Sequence, residues 1–203
     1  MGGVKANKRT INNDYSYKNN PQYEAFLTMF ELNKQETDVI FAGDSITSNC
    51  RFSEFFPEIN LLNRGIGSDT VEGLFNRIGE ISMHNPKKVF ILIGINDISL
   101  GIPQDESLKW YQMSIEFLRD NNPDCEVYVV SVLPTNTVEL CDISRFNIAL
   151  QRICDETQTV YIDLWNYYFV DDESLNSKLF STDGVHLNGY GYKVLCETYG
   201  IYL

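Results

Sequence analysis

The chain has 203 residues, long enough for one domain with a sizeable core and short for two. Hydrophobic residues make up 43% and charged residues 22%, an ordinary composition for a soluble globular protein. The net charge of −12 repels phosphate backbones and anionic lipid surfaces, so the expected partners include neither nucleic acid nor membrane.

The start, Met1-Gly2-Gly3-Val4-Lys5-Ala6-Asn7, carries no apolar signal-peptide core and no Ser or Thr at position 6 for myristoylation. No apolar run reaches the length of a membrane span. The default compartment is therefore the cytoplasm, unless a signal peptide has been removed. Residues 1–20 are expected to form a polar arm, Asn-rich from Lys5 to Asn20, and residues 21–203 a single domain. Asn20-Pro21 predicts an N-cap followed by proline at the first helical position. Tyr23, Phe26, Leu27 and Phe30 follow at helical spacing.

From there strands and helices alternate. Val39–Ala42 predicts a strand and Asn60–Asn63 a weaker one. Val71, Leu74, Phe75, Ile78 and Ile81 predict one helix. Val89–Ile93 is continuously apolar, as in a strand buried on both faces. Leu108, Tyr111, Ile115 and Leu118 mark a helix, Val127–Val132 a second buried strand, and Ile143, Phe146, Leu150 and Ile153 a further helix. Thr159–Ile162 predicts a short strand, and the last helix starts near Asn188. This alternation predicts parallel β-α-β units in a three-layer α/β/α sandwich. Trp165 to Thr182 has no clear period, which suggests a functional loop. The five cysteines, Cys50, Cys125, Cys141, Cys154 and Cys196, are odd in number and lack a C-x-x-C pair, so free thiols in a reducing compartment are expected rather than disulfides or zinc.

Four segments stand at the ends of predicted strands. Gly43-Asp44-Ser45 places a serine hydroxyl where open α/β sheets put their ligands. Asn63-Arg64-Gly65-Ile66-Gly67-Ser68-Asp69-Thr70 leads into a helix, so backbone N–H groups there point outward; it matches neither the P-loop nor the dinucleotide fingerprint. Gly94-Ile95-Asn96-Asp97 offers a side-chain amide donor, although alone it reads as an Asn-Asp turn. Asp183-Gly184-Val185-His186 spaces a carboxylate and an imidazole so that a turn brings them together. The chain has only one other histidine, His84, which reads as a C-terminal cap at the end of a helix.

Taken together, these segments make the chain resemble the SGNH/GDSL hydrolases, esterases and acylhydrolases of flavodoxin-like fold. The resemblance runs from about Thr37 to the C-terminus. Gly43-Asp44-Ser45-Ile46 matches the first block, with Ile for the usual Leu. Gly94-Ile95-Asn96-Asp97 matches the third, and Asp183-Gly184-Val185-His186 the fifth. In the second block the family's oxyanion glycine stands just before an Asp; here Ser68 takes that place, with Gly67 one residue earlier. The G-I-G-S-D-T stretch is most similar to the platelet-activating-factor acetylhydrolase and carbohydrate O-acetylesterase branch, which favours short acyl groups.

The resemblance implies a serine esterase with a five-stranded parallel sheet and no cofactor or metal. Ser45 is then the nucleophile, His186 the base, and Asp183 its orienting carboxylate. The backbone N–H groups of Ser45 and Ser68, with Gly67 as the alternative to Ser68, and the Asn96 amide would hold the oxyanion. Asp44 is expected chiefly to organise the loop, with substrate contact left open. Leu133, Pro134 and Trp165 are candidates for the substrate pocket; the aromatic group Trp165, Tyr167, Tyr168 and Phe169 reads first as a core cluster under the loop and second as a stacking wall for a sugar or aryl leaving group. The expected partner is a small-molecule or carbohydrate ester, and oligomeric state is not readable. Alternatives in the same family are a lysophospholipase or thioesterase. Alternatives of other classes are a metal-dependent phosphoesterase using Asp44, Asn96, Asp183 and His186, or a non-catalytic glycan-binding protein.

Overall fold

The computed structural model describes residues 20–171 and 174–203. The polar arm expected over residues 1–20 lies outside these, apart from Asn20. Five parallel strands, β1 (Val39–Gly43), β2 (Leu61–Gly65), β3 (Lys88–Leu92), β4 (Glu126–Val130) and β5 (Val160–Ile162), form one sheet in the order β2-β1-β3-β4-β5. This is the flavodoxin-like order, and its topological switch falls between β1 and β3. The helices are α1 (Tyr23–Leu32), α2 (Ser45–Ser48), α3 (Phe52–Phe55), α4 (Val71–Asn76), α5 (Ile78–Ser82), α6 (Ile95–Leu100), α7 (Gln104–Asn121), α8 (Leu140–Thr157) and α9 (Gly189–Tyr199).

The continuous apolar runs of the central strands follow from burial on both faces. Ile40, Ala42, Val89, Ile91, Val127 and Val129 point to one core with α4, α5, α7 and α8. Their neighbours in sequence, Val39, Phe41, Phe90, Leu92, Tyr128 and Val130, point to the other, with α2, α3 and α9. The second core carries an aromatic stack in which Phe41 and Phe52 rings lie 3.8 Å apart and Phe90 and Tyr128 rings 4.6 Å apart. No helix among the described residues is long and apolar enough to cross a membrane. All five cysteines are free thiols, and Cys50 and Cys196 meet in the second core with sulfurs 3.7 Å apart.

Several local expectations differ from the structure. The helix read over Val71–Ile81 is two short helices broken at Arg77, whose guanidinium turns inward to bond two strand-end carbonyls and the Asp69 carboxylate. The first helix begins at Tyr23 rather than at Pro21. Asn20 opens the preceding turn instead, its Oδ1 accepting from the Gln22 N–H at 2.9 Å. His84 is not an exposed cap. It is fully buried, within 2.8 Å of Glu80 and 3.0 Å of Arg64, because the segment that follows α1 closes over it, with the Gln35 carbonyl 2.7 Å from Nδ1. Gly94-Ile95-Asn96-Asp97 opens the helix α6 rather than forming a simple turn.

Candidate active site

Gly43, Gly65 and Leu92 end three adjacent strands in register, so the loops that follow them emerge side by side. Gly43 must be glycine: a Cβ there would stand 2.1 Å from the Leu92 carbonyl oxygen and 2.4 Å from Thr47 Oγ1. Asp44 then caps α2, its Oδ1 accepting from the Ile46 N–H at 2.9 Å. Ser45 is the first residue of α2, and its N–H has no acceptor among the described residues. Two side chains hold this short helix against the sheet. Asn63 donates to the Thr47 and Cys50 carbonyls at 2.8 and 3.0 Å, and Tyr192 OH donates to the Ile46 carbonyl at 2.9 Å.

The Ser45 hydroxyl lies 2.8 Å from His186 Nε2, and His186 Nδ1 lies 2.7 Å from Asp183 Oδ2. With the Asp183 carboxylate accepting from Nδ1–H, Nε2 is left as the acceptor for the serine proton. Asp183 Oδ1 also accepts from the backbone N–H groups of Val185 and His186, at 2.9 and 3.0 Å. The His186 bond, followed by these two, holds the Asp183 carboxyl down at about 2. The loop is a tight one. Ser181 N–H donates to the His186 carbonyl at 2.7 Å, and Gly184 takes a left-handed φ of 68°. Asn188 caps α9 and donates to the Lys178 and Phe180 carbonyls, fixing where the loop enters the helix.

On the far side of Ser45, the second-block loop turns at Gly67-Ser68, closed by Asp69 N–H to the Ile66 carbonyl at 3.3 Å. Ser68 has φ +62°, a conformation in which glycine is usual. Its N–H, like that of Gly67, has no acceptor among the described residues. Asn96 donates one amide proton to the Asp69 carbonyl at 2.8 Å, and its second finds no acceptor there. Gly94, with φ +131°, makes the sharp exit from β3 that brings Asn96 here; a Cβ would press on Phe146 at 2.9 Å.

Beneath these donors lie three buried carboxylates and one guanidinium. Arg77 donates to Asp69 Oδ2 at 2.9 Å, to the Arg64 carbonyl at 2.8 Å and to the Gly43 carbonyl at 3.1 Å. It therefore joins the ends of β1 and β2 to the turn after Ser68. Asp97 accepts from Val71 N–H at 3.1 Å and from Ser107 OH at 2.8 Å, tying α6 to α4 and α7. Burial pushes Asp44 and Asp97 up to about 7; it pushes Asp69 up to about 6, with Arg77 opposing.

The structure thus brings together Ser45, His186 and Asp183, and separately sets Ser68, Gly67 and Asn96 around the adjacent strand ends. Asp44 is 1% exposed and its carboxylate caps its own helix, which is the loop-organising place expected of it. Leu133 and Pro134 are buried, Leu133 within the second core. Trp165 is half-buried, packed on the first core with its ring 5.3 Å from Phe169. Tyr168 is buried and Tyr167 exposed, so the aromatic group is split between core and surface. The described residues contain no group of three or more His, Cys, Asp or Glu side chains placed to hold a metal ion. Sequence reasoning passed over Arg77 and Tyr192, and took Asn188 only as the start of the last helix; Arg77 left a trace, as a charge inside an apolar helical period.

Fold and strand-end loops together define an α/β hydrolase architecture of flavodoxin-like topology. Residues 41–194 match the GDSL-like Lipase/Acylhydrolase family, and the chain belongs to that family. It is 24% identical over 173 residues to an N-acylneuraminate cytidylyltransferase of Streptococcus agalactiae, covering 85% of this chain and 40% of that protein. The chain therefore spans well under half the length of the first curated relatives it matches. It is 22% identical over 192 residues to the human platelet-activating factor acetylhydrolase IB subunit alpha2, covering 83% of this chain and 77% of that one. Among solved structures, a GDSL-like lipase of Bacteroides thetaiotaomicron superposes with a TM-score of 0.77 at 22% identity, over 89% of this chain and 96% of that one. A carbohydrate esterase family 3 protein of Talaromyces cellulolyticus superposes with a TM-score of 0.67 at 18% identity, over 82% and 95%. Both likenesses show the fold.

Proposed function

We infer that this protein hydrolyses short-chain carboxylic esters, acetyl esters of carbohydrates foremost, through an acyl-serine intermediate. The observation that carries the reading is the unbroken relay from Asp183 through His186 to the Ser45 hydroxyl, beside the N–H groups of Ser45 and Ser68 and the second amide proton of Asn96, none with an acceptor among the described residues. In the first step His186 Nε2 takes the Ser45 proton as Oγ attacks the ester carbonyl. Asp183 keeps the proton on Nδ1 and stabilises the imidazolium. The N–H groups of Ser45 and Ser68 and the Asn96 amide stabilise the oxyanion. Expulsion of the alcohol takes the proton back from His186; water then repeats the sequence on the acyl-serine and releases the acid.

A short acyl group is supported by the names of the relatives, one an acetylhydrolase, and by the Cβ that Ser68 adds where the family has glycine. A carbohydrate leaving group is supported by a structural neighbour named as a carbohydrate esterase and a relative named for N-acylneuraminate. The test is turnover of p-nitrophenyl esters of increasing chain length and of O-acetylated sugars by the wild type and Ser45→Ala. Loss of acetate turnover in Ser45→Ala is the expected result; retention of wild-type turnover overturns the reading.

A further inference from the structure

The family-matched segment begins at residue 41, yet the chain ahead of it is built onto the loop that carries Ser68. Ile66 of that loop is buried in a small cluster with Tyr23 and Phe30 of α1, and Tyr23 OH donates to the Gly73 carbonyl at 3.1 Å. The most specific contact comes from Asn20. Its Nδ2 donates to the Gly67 carbonyl at 2.7 Å, across 47 residues of chain. Its Oδ1 is engaged as well, accepting from the Gln22 N–H at 2.9 Å, so the amide has one orientation that satisfies both ends.

The Gly67 carbonyl and the Ser68 N–H belong to one peptide group. That group is trans, rigid and planar, with its C=O and N–H pointing in opposite directions. A side chain that grips the carbonyl therefore fixes the direction of the N–H. The grip matters because little else holds this peptide. Ser68 is exposed, the turn's own hydrogen bond is long at 3.3 Å, and a left-handed φ is unfavourable for a residue with a Cβ, which favours relaxation. We propose that Asn20 is a positioning residue for the oxyanion site, holding the Gly67–Ser68 peptide so that the Ser68 N–H meets the developing charge. This rests on the esterase reading above.

Two substitutions separate this role from the turn bond to Gln22. Asn20→Asp keeps the acceptor for Gln22 but sets a carboxylate oxygen against the Gly67 carbonyl. Asn20→Ser keeps a side-chain oxygen for that turn bond and lacks the reach. The measurements are kcat and KM on p-nitrophenyl acetate, expressed per active site titrated with an alkyl fluorophosphonate, together with inhibition by methylboronic acid. A misdirected donor weakens only the transition state, so kcat should fall on the order of tenfold in Asn20→Asp and less in Asn20→Ser, with KM little changed. Boronate inhibition should weaken in parallel. Wild-type kcat per titrated site in both variants overturns the proposal, including the case where only the titratable fraction drops, which would assign Asn20 to stability alone. Ser45→Ala distinguishes the two levels. An inactive Ser45→Ala beside a fully active Asn20→Asp sinks the role of Asn20 only, whereas an active Ser45→Ala sinks the esterase reading beneath it.

Discussion

The two sides of the candidate site are held in different ways. On the nucleophile side, Asp44 caps the helix that starts at Ser45, and Asp183 bonds both the ring and the backbone of a histidine three residues on. These contacts are local, so a short motif carries its own geometry. On the oxyanion side, the Gly67-Ser68 turn is strained, and its supports come from Asn20, from Asn96 and from Arg77 through Asp69. A site of this kind can lose precision on one side through distant substitutions while the other remains intact.

The largest expected effect breaks the nucleophile side. Ser45→Ala should lower kcat by at least about 10⁴-fold with the melting temperature close to wild type. Asp183→Asn should cost about 10²–10⁴-fold; a steady-state assay near wild type would remove Asp183 from the relay. On the other side, Asn96→Ala should lower kcat by about 10²–10³-fold with little change in KM, as for loss of one oxyanion donor. A KM effect alone would place Asn96 in ground-state binding.

Arg77 spans both sides, so its removal sharpens the comparison through stability. Arg77→Met leaves Asp69 buried without its cation and should cost about 3–5 kcal/mol in urea unfolding. A cost below about 1 kcal/mol would show that the pair contributes no more than an exposed one. The smallest effect is a pH dependence. Asp44 and Asp97 have folded-state values of about 7, above the ordinary 3.8, so between those limits the folded state binds more protons than the unfolded one. Their contribution to stability therefore falls as pH rises from about 4 to 7 and is flat above. The melting temperature should drop by a few degrees from pH 5 to pH 8, and Asp97→Asn should flatten that slope. Asp183 has the opposite sign, since its value lies near 2, and its contribution is lost only as pH falls below 3.8.

The sheet was legible because its signal is local. Runs such as Val89–Ile93 alternate between two cores, and no other burial suits a continuously apolar strand. Where a polar residue inside an apolar period makes a long-range bond, the period misleads: Arg77 splits one expected helix into two. His84 is a similar case, since only the segment after α1, 49 residues away in the chain at Gln35, closes over it.

By itself the sequence determined the alternation of strands and helices, the burial of the central strands on both faces, and the three-residue spacing that lets Asp183 reach His186, because each depends on neighbours within a few residues. Tertiary structure alone decided that His84 is buried, that Leu133 belongs to the second core, and that Asn20 grips the turn beside Ser45. Those outcomes depend on which surfaces meet across many residues of chain, and neither periodicity nor spacing records that.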